Sequence, residues 1–123
     1  METTQLSLYE RLGRSEGITR IVHDVMAAHL SNPVVKVRFE NARDLDHARQ
    51  MAVEFFCAGC GGPQAYSGRD MLSTHRGMNI SEQEYMAVMD DIVGALRKNE
   101  VNDATRSEVV GVLYSLKDQI IRV

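Results

Sequence analysis

The stretch RDMLSTHRGMNIS, residues 69–81, sets one imidazole, His75, on a turn of helix too short to hold itself in place. Asp70 is suited to cap that turn, and the Gly/Pro-containing loop GCGGPQAYSG runs directly into it. Met71 lies four residues before His75 and Met78 three after. Such a setting leaves two readings open. His75 is either a half-buried histidine satisfied by a backbone carbonyl, or a ligand presented to something that is not side chain.

The totals bound the answer. A chain of 123 residues makes one domain, 1–123, with room for a modest core. Apolar residues at 44% and charged residues at 25% are ordinary for a soluble globular protein. A net charge of −3 carries no basic footprint, so nucleic acid is not an expected partner. No run approaches the roughly 20 apolar residues of a membrane span. The first residues, METTQLSLYE, have neither a basic start nor an apolar stretch, which predicts a cytoplasmic protein.

Around His75 the periodicity is helical throughout. Ser7 can cap a short turn, LYERL, that Gly13 closes. Ser15 opens a longer helix whose inner face carries Ile18, Ile21, Val22, Val25, Met26 and His29, stopped by Pro33. Asp44 precedes a third segment, lined by Leu45, Ala48, Ala52, Phe55 and Phe56. SEQE at 81–84 reads as a capping box that launches a helix with Tyr85, Val88, Met89, Ile92 and Leu96 inside. Asn102 or Asp103 starts a last helix, buried through Val109, Val112, Leu113, Leu116 and Ile120. No segment alternates with period two, so the class is all-α.

Helical proteins of this size place cofactors between facing helices. Two alanines, Ala48 and Ala52, at the centre of an inner stripe leave space there, and a haem would fill it. A haem asks for one axial imidazole whose other ring nitrogen is hydrogen-bonded, within an apolar slot.

The ordered set SLYERLG at 7–13, NP at 32–33, Phe39, VEFFCAGCGGP at 53–63, YSGRDMLSTHRGMNIS at 66–81 and Tyr85 resembles the truncated haemoglobins, in particular their first group. The resemblance spans nearly the whole chain. It implies a truncated globin fold, two helices over two, around one haem b (iron protoporphyrin IX). By the same likeness His75 matches the proximal iron ligand, and Phe39 the aromatic that packs on the porphyrin. Met71, Met78, Ile80, Tyr85, Val88 and Ile92 match apolar pocket positions. Arg49 and Arg69 are either propionate partners or solvated surface charges.

The distal side departs from the family pattern. The family usually carries a tyrosine where this chain has Met26, seven residues before Pro33, and often glutamine where it has Ala48 and Ala52. Bound dioxygen gains negative charge, and a charge-assisted hydrogen bond to it is worth roughly 1.5–3 kcal/mol. Methionine and alanine donate nothing, which predicts an apolar distal pocket with fast O2 loss. Two features would alter that. His29 is either a core residue bonded to a backbone carbonyl or a donor towards the distal cavity. Met26 or Met51 would be a sixth ligand if its thioether reached the iron. His47 lies nearly opposite the inner face of its helix, at the solvent or near a propionate, and His23 lies off its stripe and is assigned no role.

Cys57 and Cys60 form C-x-x-C at the C-terminal end of a helix, where the dipole disfavours a thiolate. They read as packing residues, with a redox-sensitive disulfide as the other reading. The resemblance implies reversible binding of a diatomic gas, O2, CO or NO. The alternative is a haem enzyme, an NO dioxygenase or a nitrite/peroxide reductase. No G-x-G-x-x-G follows a strand, so turnover would need an external reductase. A haem-free helical interaction module is the remaining class.

Overall fold

Capping side chains decide where most of the helices begin. The computed structural model describes residues 6–41 and 44–123. Helix α1, Leu8–Arg11, starts at Ser7, whose hydroxyl accepts from Glu10 N–H while the Glu10 carboxylate returns to Ser7 N–H. Helix α4, Leu45–Gly59, starts at Asp44, and α5, Met71–His75, at Asp70. Helix α6, Glu82–Lys98, is launched by the Ser81/Glu84 capping box, and Asn102 caps α7, Asp103–Ser115.

Helix α2, Arg14–Ser31, begins one residue earlier than the serine signal suggested. Its N-cap is Gly13 at φ +93°, and the Ser15 N–H is held by the Tyr9 hydroxyl at 3.2 Å. A left-handed glycine turns the chain at once from α1 into α2. Gly17 completes the corner, because a Cβ there would lie 2.2 Å from the Leu12 carbonyl oxygen. A short helix α3, Lys36–Glu40, follows Pro33 and went unseen in the periodicity. The last helix also stops sooner than expected. It ends at Ser115, and Lys117–Gln119 form a 3-10 turn.

Helices α2 and α4 make one packed pair and α6 and α7 the other, with α2 also lying against α6. This is the two-over-two sandwich. Ile18, Ile21, Val22, Val25 and Met26 of α2 meet Ile92, Ala95 and Leu96 of α6, Cys57 of α4 and Val109 of α7 in the main core. Fully buried side chains such as Ile18 and Leu96 each contribute about 1.5–3 kcal/mol. A second, smaller cluster joins Ile80, Tyr85 and Met89 to Met78, Leu113, Ile120 and Ile121. The α4 face is shallower than its pattern implied. Only Cys57 is fully buried there, and Phe55 turns its edge towards Tyr66 of the following loop, 5.4 Å between centroids. Among the described residues no helix is long and apolar enough to cross a membrane.

Candidate functional site

Between the main core and the smaller cluster lies a cavity of about 360 Å3, within the range of small-molecule sites. His75 and Thr74 form one wall, with Met78 and Ile80 from the loop that follows. Glu84, Tyr85 and Val88 come from α6, Ile120 from the C-terminal segment, Val35, Arg38 and Phe39 from the α3 region, and Ala48 from α4.

His75 ends α5 and its Nδ1 lies 2.8 Å from the Met71 carbonyl oxygen. A carbonyl only accepts, so Nδ1 carries the proton and Nε2 keeps its lone pair. The two sequence readings of this histidine therefore share one hydrogen bond. What separates them is the cavity that the imidazole borders.

The polar groups around that cavity are committed elsewhere. Thr74 Oγ1 donates to the Asp70 carbonyl at 2.8 Å, and the Tyr85 hydroxyl donates to the Leu113 carbonyl. Arg38 grips Glu84 with Nε at 2.7 Å and Nη2 at 3.2 Å. That guanidinium, with the Ser81 backbone N–H, holds the Glu84 carboxyl down to about 2. The interior left over is apolar, with Phe39, Val35, Val88, Ile80, Met78 and Ala48 as its surface.

Of the residues singled out from the sequence, His75, Phe39, Met78, Ile80, Tyr85, Val88 and Ala48 share this cavity. Ile92 and Met26 are instead buried in the main core, and Ala52 packs against that core. Met71 is half-buried and meets the site through its carbonyl. Met51 lies half-buried on α4, its sulfur 4.0 Å from the Ser67 hydroxyl. Arg69 is exposed, and neither it nor Arg49 lines the cavity. Arg49 bonds Asp46 at 2.9 Å, yet its Nε is buried with no partner among the described residues.

His29 is 4% exposed and lies behind Phe39 rather than in the cavity lining. Its ring stacks on the phenyl, with centroids 4.5 Å apart and planes at 21°. Its partner is a carboxylate, not the backbone carbonyl expected for a core histidine. Nδ1 sits 2.7 Å from Asp91 Oδ2, and Asn32 Nδ2 donates to both Asp91 oxygens at 3.1 and 3.2 Å. Burial pushes the imidazole pKa down, outweighing the carboxylate that pulls it up.

Sequence reasoning missed Val35, Arg38, Thr74, Glu84 and Ile120 as lining residues. Thr74 is adjacent to His75 and Arg38 to Phe39, so chain proximity was the available signal. Ile120 had none, because it was counted as part of a helix that stops short of it. Cys57 and Cys60 are both buried free thiols. Burial raises the Cys57 thiol, and burial with its neighbour pushes Cys60 up to about 11.

A two-over-two helical sandwich with an imidazole-walled apolar cavity is the architecture of a globin. A family described as bacterial-like globin matches residues 7–122. The chain is similar to the group 1 truncated haemoglobin of Tetrahymena pyriformis, 29% identical over 93% of this chain and 94% of that one. It is also similar to the group 1 truncated haemoglobin GlbN of Mycolicibacterium paratuberculosis, 28% identical over 93% of this chain and 83% of that one. A crystal structure of the Tetrahymena pyriformis truncated haemoglobin in its Fe(III) form superposes with a TM-score of 0.91, at 26% identity, covering 96% of this chain and 100% of that one. The chain belongs to the bacterial-like globin family, and its cofactor is the family's haem b.

Proposed function

We propose that His75 is the axial ligand of the haem iron and that the apolar side of the cavity receives a diatomic gas. The observation that carries this reading is the His75–Met71 hydrogen bond beside an apolar cavity of about 360 Å3. It fixes the tautomer a metal needs, with the lone pair on Nε2, and a backbone carbonyl partner raises the basicity of the ring. When bound, haem supplies an iron with a coordination position open to O2, CO or NO.

The chain's own residues supply everything else. Phe39 offers a flat apolar face to the macrocycle, and Met78, Ile80, Tyr85 and Val88 keep water from the ring. Arg49 brings a buried Nε that lacks an acceptor, a donor that an anionic propionate would satisfy. Arg38 is the cation that lines the cavity itself, with its guanidinium held by Glu84. Arg69, at the surface, would contribute charge alone. On the distal side Ala48 presents a methyl group, while Met26, Met51 and Ala52 stay outside the lining. Among the described residues that line the cavity, no uncommitted donor is left to stabilise negative charge on the gas, which favours binding and release over dioxygen-dependent catalysis. Electrons to keep the iron reduced would come from a separate reductase, since the chain has no dinucleotide fingerprint. The two buried free thiols suit a reducing compartment such as the cytoplasm.

Absorption spectra of the purified protein with added haem, ferric, then reduced, then reduced under CO, test this reading. The expected outcome is a stoichiometric Soret band, one broad visible band on reduction, and ready conversion to a CO complex. His75→Ala should abolish the stoichiometric band. No Soret band in the unaltered protein would overturn the haem assignment. Sharp split bands on reduction would overturn the open gas position, since they report an internal sixth ligand.

A further inference from the structure

Among the described residues, helix α5 holds the only histidine that borders the cavity, and it is five residues long. A helix of that length does not persist by itself in water, since nucleation is unfavourable and few bonds repay it. Something outside α5 must therefore hold His75 in position. Its chief packing partner among the helical elements is the 3-10 turn Lys117–Gln119, near the C-terminal end of the chain. The contact continues beyond that turn. In the loop after His75, Gly77 N–H donates to the Val123 backbone oxygen at 3.2 Å, and Asn79 N–H donates to the same atom at 3.1 Å. Arg122 N–H donates back to the Ile80 carbonyl at 2.9 Å, so that Ile80 and Ile121 pair as a parallel bridge.

The bonded loop is one that needs holding. Gly77 adopts its φ of +87° freely, but Asn79 at φ +49° sits in the left-handed region, which a residue with a side chain keeps only where its surroundings favour it. The C-terminal segment is anchored on its other side as well. Ile120 borders the cavity with His75, and Ile121 packs with Tyr85 and Met89 of the smaller cluster. The Arg122 side chain reaches Glu82 at 3.3 Å and Asn79 at 3.5 Å, but both contacts are exposed. Screened pairs of that kind contribute little, so the backbone bonds carry the attachment.

We propose that Ile120–Val123 is a strap that positions His75 and so sets how firmly the imidazole holds the iron. The proposal rests on His75 being the axial ligand. Ile120 borders the cavity, and Ile121–Val123 act through the loop 76–80. If they relax, the end of α5 loses its outside support while its own Asp70 cap and the Met71 bond remain.

Two substitutions at one position separate the strap from a general loss of stability. Arg122 sits at φ +59°. Arg122→Gly keeps the N–H and prefers that backbone conformation, losing only the exposed side-chain contacts. Arg122→Pro deletes the N–H and cannot adopt that φ. With Arg122→Pro, haem transfer to an excess of scavenger apoglobin should be about tenfold faster, the scale of one or two lost hydrogen bonds. The iron–histidine stretching band of the reduced, gas-free protein should fall in frequency. Arg122→Gly should match the unaltered protein in both. In the haem-free chain, the Gly77 and Asn79 amides should exchange faster with Arg122→Pro alone.

Unchanged haem loss and an unchanged stretching band in Arg122→Pro would overturn the strap while leaving the haem reading intact. An unaltered protein that takes up no haem would overturn the haem reading instead, and with it the strap's role at the iron. Should Arg122→Pro not fold, Ile121→Gly read against Ile121→Ala loosens the same pairing from the neighbouring residue, both variants lacking the packed side chain and only the glycine freeing the backbone. The same two readouts then decide.

Discussion

Two imidazoles in this molecule are anchored almost identically and face different surroundings. His75 holds a carbonyl at 2.8 Å through Nδ1, and His29 holds a carboxylate at 2.7 Å through the same atom. One ends a five-residue helix beside an apolar cavity, and the other lies in the last turn of an eighteen-residue helix, beneath an aromatic ring. The anchoring bond therefore does not distinguish a ligand from a core residue. Space on the far side of the ring does. For His75 that space is the cavity, and for His29 it is taken by Phe39, with Asp91 and Asn32 at the ring's edge.

The largest expected effect breaks the comparison outright. His75→Ala should eliminate stoichiometric haem uptake, read as loss of the Soret band on titration, with helicity by circular dichroism unchanged. His29→Ala should leave the Soret stoichiometry intact. Next, Ala48→Gln places an amide donor at the cavity wall. O2 release, followed by stopped-flow exchange with CO, should slow about ten- to a hundredfold, the value of one charge-assisted hydrogen bond. An unchanged rate would show that Ala48 does not face the gas.

Asp91→Ala sharpens the comparison from the other histidine. It leaves a buried His29 N–H without its carboxylate and should cost about 2–3 kcal/mol in denaturant unfolding of the haem-free chain. Asp91→Asn, which can still accept from Nδ1, should cost about half that.

A smaller effect is expected in acid. The Glu84 carboxyl is lowered to about 2, chiefly by Arg38, from an ordinary value of 4.5. A lowered carboxyl pKa stabilises the fold fully above its unfolded value, and that contribution is lost as pH falls from about 4.5 to about 2. Glu84→Gln should flatten the stability–pH curve in that window and lower stability at pH 7 by roughly 1–3 kcal/mol. An equally steep curve in the variant would place the acid sensitivity elsewhere. Smallest of all, Cys57 and Cys60 should resist iodoacetamide in the folded protein, and mild oxidant should leave CO rebinding unchanged. Burial raises both thiols, and a protonated thiol is a poor nucleophile.

Much of the fold was legible because helix starts are local events. Ser7, Asp44, Asp70, Ser81 and Asn102 each act within three residues of themselves; the first four sit where their signals placed them, and the structure chooses Asn102 over Asp103 for the last helix. The inner stripe from Ile18 to His29 is also a local pattern, and every residue in it is buried. The start of α2 was misread because Gly13 and the Gly17–Leu12 contact together set it, and neither is a capping side chain.

The sequence by itself determined an all-helical chain, a histidine on a short capped turn, and methionine at 26 with alanine at 48 and 52. Those are matters of residue identity and of spacing within one or two turns. Only the tertiary structure decided which side chains share the cavity, because that depends on residues brought together from far apart. Arg38 finds Glu84 across 46 positions and His29 finds Asp91 across 62. The family likeness put Met26 and Ile92 at the pocket, but where α2 meets α6 both are buried in the main core. The loop behind His75 gains its partner from the far end of the chain, a pairing that no local spacing encodes.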